Sequence, residues 1–329
     1  MEAPGNPTLV FVRPFGLGIQ LADLALPVPQ TLTVEGPQDA HIDSDSGLRF
    51  YTWAGRELPS VTSIRRAAGI PHGLHQWTLS QVIDRAVLDH AGLTAMLTRE
   101  RRPRERVLEK NRIREASTWL RSAATEERDR AAALGTAVHD AAARALTPYT
   151  LPAYVTVESN GKPVEVDSNA IAPRLGWYRD WLRASGIEIL AAERQVWNLT
   201  LGYAGSFDLL GRYRDGSVGL IDLKTGEGTY ADYAIQQVGY LMAEHVGADG
   251  AIDNEATGWL RAASRIALLH LSDTGWEYRE LIADADLWGA FRGLLAYAQW
   301  SLSHRDAASI TRGIRQSVKP VVTHEEATP

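Results

Sequence analysis

The chain has 329 residues, a formal net charge of −6, 45% hydrophobic and 22% charged residues, and no cysteine. That length buries a sizeable core, as one elaborated domain or one domain with appendages, and the composition is that of an ordinary soluble protein. The absence of cysteine excludes disulfides, thiolate zinc sites and iron–sulfur clusters, while the acidic balance argues against a uniformly basic nucleic-acid coat and leaves room for a local basic groove.

Residues 1–45 hold six of the fifteen prolines among short apolar runs, Leu9 to Val12 and Leu17 to Leu26. They read as an extended arm or a few edge strands carrying no chemistry. No basic n-region precedes the apolar runs and no stretch of eighteen apolar residues occurs, so neither a signal peptide nor a membrane span is expected. Residues 46–130 follow as a β-hairpin and helical region. Leu48 to Trp53, the turn Ala54-Gly55-Arg56 and Leu58 to Thr62 predict the hairpin, with Ser60 or Thr62 capping a helix through Ile64 to Ala68. A helical pattern continues from His75 to His90.

Residues 99–114 contain eight cations against Glu100, Glu105 and Glu109, a local excess of five. A solvated helix face laced with i,i+4 pairs is one reading. The other is a phosphate-contacting face, with Arg101, Arg104 and Arg112 as candidate DNA contacts.

The main core is expected over 131–303, with 304–329 as a flexible tail. A long helix over 116–146 carries Gly135-Thr136-Ala137-Val138-His139. Taken alone, a histidine on an alanine-rich helix is more often a packed core residue than a ligand. Gly135, one turn earlier, lets a neighbouring backbone or a substrate approach closely. A polar loop is expected next, then a helix over 170–184 with Trp177 and Trp181 as core packing. Ile187 to Leu199 reads as a strand carrying Glu193, and Gly202 to Leu210 as the next, carrying Asp208.

Gly219 to Gly226 reads as a buried strand entering a turn, with Asp222 and Lys224 on one face and Ile221 and Leu223 on the other. A carboxylate and an ammonium at the end of an apolar strand are costly to bury without a purpose. The chain has 30 Arg and four Lys, so a lysine here points to a compact point charge rather than a planar fork. A helix over 230–244 then sets Gln236 and Tyr240 one turn apart. Residues 265–271 and 276–282 predict a second hairpin, and 284–302 an amphipathic helix.

The order His139, Glu193, Asp208, Asp222-x-Lys224 and Gln236-x-x-x-Tyr240 resembles the RecB-like branch of the PD-(D/E)XK nuclease superfamily, which includes phage-type recombination exonucleases. The resemblance covers roughly residues 130–245, and Leu58 to Thr62 with Trp77 is similar to the start of phage members. It implies an α/β fold with a mixed, mainly antiparallel central sheet flanked by helices and an N-terminal helical region walling a DNA groove. It also implies a Mg²⁺- or Mn²⁺-dependent deoxyribonuclease working from linear duplex or single-stranded DNA ends. A single-strand annealing protein is the expected partner, and the cytoplasm of a bacterial host the expected location. Helicase-linked and CRISPR-associated relatives ligate an iron–sulfur cluster through cysteines, and this chain has none.

Phosphodiester cleavage needs an activated water and neutralisation of charge building on the phosphate, which a hard divalent cation on carboxylate oxygens supplies. Asp208 and Asp222 are the expected direct ligands, completed by the Leu223 carbonyl and the His139 imidazole. Lys224, its pKa lowered by burial, orients the water or holds a phosphate oxygen. Gln236 steadies the lysine–water geometry, and Tyr240 packs beneath or touches the DNA backbone. Glu193 binds a second metal or is structural. Two rivals remain open: an endonuclease of the same superfamily, and a non-catalytic DNA-binding or assembly protein that kept the fold.

Overall fold

The computed structural model describes residues 35–43, 48–67, 69, 72–98, 106–159, 162–226 and 232–304. The reading of residues 1–34 as an arm and of 305–329 as a flexible tail falls outside them, as do Arg101 and Arg104.

Strands β1 (Gln38–Ile42), β2 (Arg49–Trp53) and β3 (Arg56–Pro59) form a three-stranded antiparallel sheet. Ala54 and Gly55, both at positive φ, make the tight β2–β3 turn. Ser60 then caps α1 (Val61–Arg66), its hydroxyl accepting from the Ser63 amide at 3.0 Å. Helices α2 (His72–Leu88) and α3 (His90–Thr98) pack on α4 (Arg106–Arg144). The 39-residue α4 begins ten residues before the expected start, because the Arg/Glu-rich segment has strong helix formers on every face.

Where a polar loop was expected, β4 (Tyr154–Ser159) and β5 (Lys162–Asp167) form a hairpin. Val155 and Val157 alternate inward against α4 while their neighbours face out. Asp167 caps α5 (Ser168–Ser185), and Gly186 closes it in the left-handed conformation at φ 64°.

The central sheet follows: β6 (Glu188–Asn198), β7 (Tyr203–Arg212), β8 (Val218–Lys224), α6 (Asp232–Leu241), β9 (His245–Ala248), β10 (Ala251–Ile252), α7 (Asn254–Ala262), β11 (Ala263–Leu271), β12 (Trp276–Leu281) and α8 (Ala285–Ser303). Strand order is β10-β9-β6-β7-β8-β11-β12, antiparallel throughout except for β8 and β11. The mixed, mainly antiparallel sheet flanked by helices is therefore as expected; the β9–β10–α7 segment was not anticipated. Parallel pairing requires a long crossover, which the α6-to-α7 segment provides.

Each face of this sheet has its own core. Leu220, Val218, Ile266, Phe207 and Leu210 pack with α1, α6, α7 and α8, while Ile221, Leu223, Ala267 and Leu269 pack with α4, α5 and the β4–β5 hairpin. The carboxyl end of β8 thus emerges between α4 on one side and α6 on the other. Among the described residues, no helix is long and apolar enough to cross a membrane.

Candidate functional site

β8 is buried along its length until Lys224, where the strand reaches the protein surface. Its ladder with β7 runs from Arg212↔Val218 to Leu209↔Ile221. At the next residue the Asp208 side chain takes over: its Oδ2 accepts the Leu223 amide at 2.7 Å. A carboxylate thus replaces a backbone carbonyl, which fixes Asp208 beside the end of β8. On the other side of β7, the register places Glu193 opposite Asp208. Glu193 has φ 48°, a left-handed conformation that a non-glycine residue in mid-strand adopts only when its surroundings impose it.

His139 arrives from α4. A Cβ on Gly135 would lie 3.2 Å from Thr225 Oγ1, so the glycine allows α4 to approach the turn after β8. The close neighbour of Gly135 is therefore the Thr225 side chain, where a backbone or a substrate was expected. His139 Nε2 lies 3.1 Å from the Leu223 carbonyl, to which it can only donate, and Nδ1 lies 3.4 Å from Asp208 Oδ1 and 3.6 Å from Glu193 Oε1. One donor atom from each of His139, Glu193 and Asp208 falls within 4.8 Å of the others, a group that could hold a metal ion. Asp222 is not part of that trio. It is 1% exposed, its Oδ2 meets Lys224 Nζ in an ion pair, and its Oδ1 has no hydrogen-bond partner among the described residues.

Lys224 Nζ also donates to the Leu223 carbonyl at 3.2 Å and sits 4.9 Å from the Tyr233 ring centre. Tyr233 in turn lies under Arg65 of α1, whose guanidinium is 5.4 Å from the same ring and 3.4 Å from the Asp232 carboxylate. Sequence reasoning missed Tyr233 and Arg65. Only the crossing of α1 over α6 makes them neighbours of Lys224.

Gln236 and Tyr240 are both buried, and Gln236 Nε2 donates to the Tyr240 hydroxyl at 3.0 Å. Gln236 therefore braces the tyrosine rather than Lys224. Tyr240 is 3% exposed, so of its two expected roles it takes the packing one, beneath the site. Its ring fits because residue 205 is glycine: a Cβ there would fall 2.6 Å from Tyr240 Cε1.

The electrostatics follow from two buried carboxylates, Asp208 and Asp222, beside the exposed Glu193. Burial alone would lower the His139 pKa, but the charge of Asp208 and hydrogen bonds to Asp208 and Glu193 outweigh it and push the imidazole up to about 10. Burial likewise opposes ionisation of Asp208, yet the His139 and Lys224 charges and the Leu223 amide hold its pKa below the usual value. Burial raises Glu193 and lifts Asp222 to about 6 despite its lysine partner. For Lys224 the expected lowering is overturned. Burial does push it down, but the Asp222 and Asp208 charges prevail and its pKa is raised.

Two protein cations, His139 and Lys224, thus sit where the carboxylates concentrate negative charge. The unpartnered Oδ1 of Asp222 and the forced backbone of Glu193 are the features that a bound cation would account for. Oxygen and imidazole donors with no sulfur suit a hard or borderline divalent ion.

No family model and no curated protein matches the chain. Among solved structures, "Crystal structure of SSO0001" is similar at 17% identity over 41% of this chain and 61% of that chain, with a TM-score of 0.25. The chain thus spans less than two thirds of that structure's length, and a likeness at this score carries no argument.

Proposed function

We propose that this chain is a Mg²⁺- or Mn²⁺-dependent deoxyribonuclease of the PD-(D/E)XK type, acting as an exonuclease from DNA ends. The observation that carries the reading is the meeting of His139, Glu193 and Asp208 beside the Asp222–Lys224 pair at the carboxyl end of β8. His139, Glu193 and Asp208 would hold the ion, with Asp222 and the Leu223 carbonyl within reach of the same space once Lys224 and His139 release them. The ion would supply Lewis-acid neutralisation of the phosphate and activation of the attacking water.

The rest falls to the chain's own residues. Lys224 orients the water or holds a non-bridging phosphate oxygen, a role for which its compact ammonium at the strand end is suited. Asp208, anchored by the Leu223 amide, sets the position of the carboxylate that faces the reacting phosphate. Gln236 and Tyr240 form the floor. Arg112, half-buried on α4, belongs to the basic stretch proposed to run along the DNA backbone. A bacterial-host cytoplasm and a single-strand annealing partner complete the proposal.

The test is end-labelled linear and closed circular duplex, each incubated with Mg²⁺ and with excess chelator. Cleavage of the linear DNA alone, abolished by chelator, is the expected outcome. Metal-dependent cleavage of the circle makes the protein an endonuclease, and cleavage that survives chelation overturns the metal reading.

The raised pKa of His139 adds a second expectation. A metal ligand must be unprotonated, so below pH 10 the ion has to displace the imidazole proton. Apparent Mn²⁺ affinity should rise with pH, by about tenfold per unit where one proton is lost per ion bound. Titration calorimetry at pH 7.5 in buffers of different ionisation enthalpy should show about one proton released per ion. Binding with no proton release would remove His139 from the ligand set.

A further inference from the structure

β11 runs parallel to β8 and places His270 directly beside Lys224, as Leu268 lies beside Asp222. Residues paired in this register share a face of the sheet, and the row through Leu220 and Ile266 shows which one: the face packed under α6. His270 is the penultimate residue of β11 and half-buried, at the carboxyl end of the two parallel strands. The crevice outside the carboxyl ends of parallel strands is where open α/β sheets bind ligands.

Among the described residues, neither ring nitrogen of His270 makes a hydrogen bond or an ion pair. The obvious candidate is Glu277, its cross-strand neighbour on β12 and on the same face. Glu277 turns one oxygen, Oε1, to Arg279 instead, at 2.8 Å from Nε and 2.6 Å from Nη2. Lys224, by contrast, is held by Asp222, the Leu223 carbonyl and the Tyr233 ring. A half-buried imidazole whose ring nitrogens make no bond within the described residues thus stands beside Lys224, open to an incoming acceptor.

We propose that His270 is a substrate contact, donating to a non-bridging oxygen of the backbone phosphate next to the one that Lys224 addresses. The ligand class is a phosphodiester strand passing over the ends of β8 and β11. This inference rests on the nuclease reading and deepens it: the strand's path runs across β11 toward β12, not only along α4.

The experiment compares wild type, His270→Ala and His270→Gln, the last keeping an amide donor near the Nε2 position. Binding of fluorescein-labelled duplex and of its single strand is measured by anisotropy in chelator, where no cleavage occurs, and steady-state cleavage is measured with Mg²⁺. His270→Ala should weaken binding and raise KM by about tenfold, the size of a lost hydrogen bond to a charged group, with kcat at saturating DNA within about twofold. His270→Gln should recover part of the loss. Unchanged binding and KM in the Ala variant, while wild type binds and cleaves, would overturn this contact and leave the nuclease reading standing. So would a fall in kcat and thermal stability that Gln fails to rescue, because that is a structural role. Wild type that neither binds nor cleaves DNA would overturn both.

Discussion

Asp208→Ala and Asp222→Ala should each cut metal-dependent DNA cleavage by about a thousandfold or more, several kcal/mol of transition-state stabilisation, while leaving the fold intact. The two losses have different causes. Asp208 contributes one of the three converging donor atoms, and its other oxygen secures the Leu223 amide at 2.7 Å. Removing it weakens metal binding and loosens the end of β8 together. Asp222 lies outside the trio and holds Lys224, so its removal frees the ammonium from its position. Calorimetry separates the cases: Mn²⁺ affinity should fall further in Asp208→Ala than in Asp222→Ala. Retained cleavage in either variant would remove that residue from the machinery.

Asp222 also predicts how the metal-free protein responds to pH. Burial raises its folded pKa to about 6, above the unfolded value. A raised folded pKa contributes stability that is present below the unfolded pKa and is lost as pH rises through the folded one. In chelator, the wild type therefore carries an ionised, poorly solvated carboxylate at pH 8 that it does not carry at pH 5. Asp222→Asn removes that dependence. The melting temperature of Asp222→Asn relative to wild type should increase from pH 5 to pH 8, whatever its absolute sign. A constant difference across that range would mean that Asp222 is ionised throughout.

The strands that build the site are the most legible part of the sequence. The apolar run into Asp222-x-Lys224 had one interpretation as a buried strand, and its alternation put the charged pair on one face. The β4–β5 hairpin was missed although Asn160-Gly161 stands between two alternating runs, because Lys162, Glu158 and Glu165 made the stretch resemble a loop. The site was legible as a set of residue types but not as a geometry. His139 looks like a core histidine until α4 is laid against Thr225, which is a contact between residues 90 apart in the chain. Glu193 was left between a metal role and a structural one, and the φ of 48° that brings it to Asp208 leaves no mark in Ala191-Ala192-Glu193-Arg194. Gln236 and Tyr240 lie one turn apart as expected, but helical spacing says nothing of which side faces the lysine. Burial and the bond between them show that they form the floor.

Lys224→Arg should fail nearly as badly as Lys224→Ala, with kcat reduced by about a hundredfold or more in both. The ammonium meets three partners in different directions: the Asp222 carboxylate, the Leu223 carbonyl at 3.2 Å and the face of Tyr233 at 4.9 Å. A tetrahedral group on a flexible stem satisfies all three. A guanidinium is planar and longer, so pairing it with Asp222 would turn its plane away from the carbonyl or drive it into Tyr233. Arg65 also packs on that ring, its guanidinium 5.4 Å from the ring centre, which limits how far the tyrosine can retreat. The charge is therefore preserved in Lys224→Arg while its position is not, and the proposed role of Lys224 depends on position. Lys224→Met, which keeps the stem and removes the charge, supplies the comparison. If Arg, Met and Ala all lose activity while melting in chelator within a few degrees of wild type, position and charge are both required. Near-wild-type turnover in Lys224→Arg would show that any cation at the end of β8 suffices, and the preference for lysine at this position in an arginine-rich chain would then have no mechanistic basis.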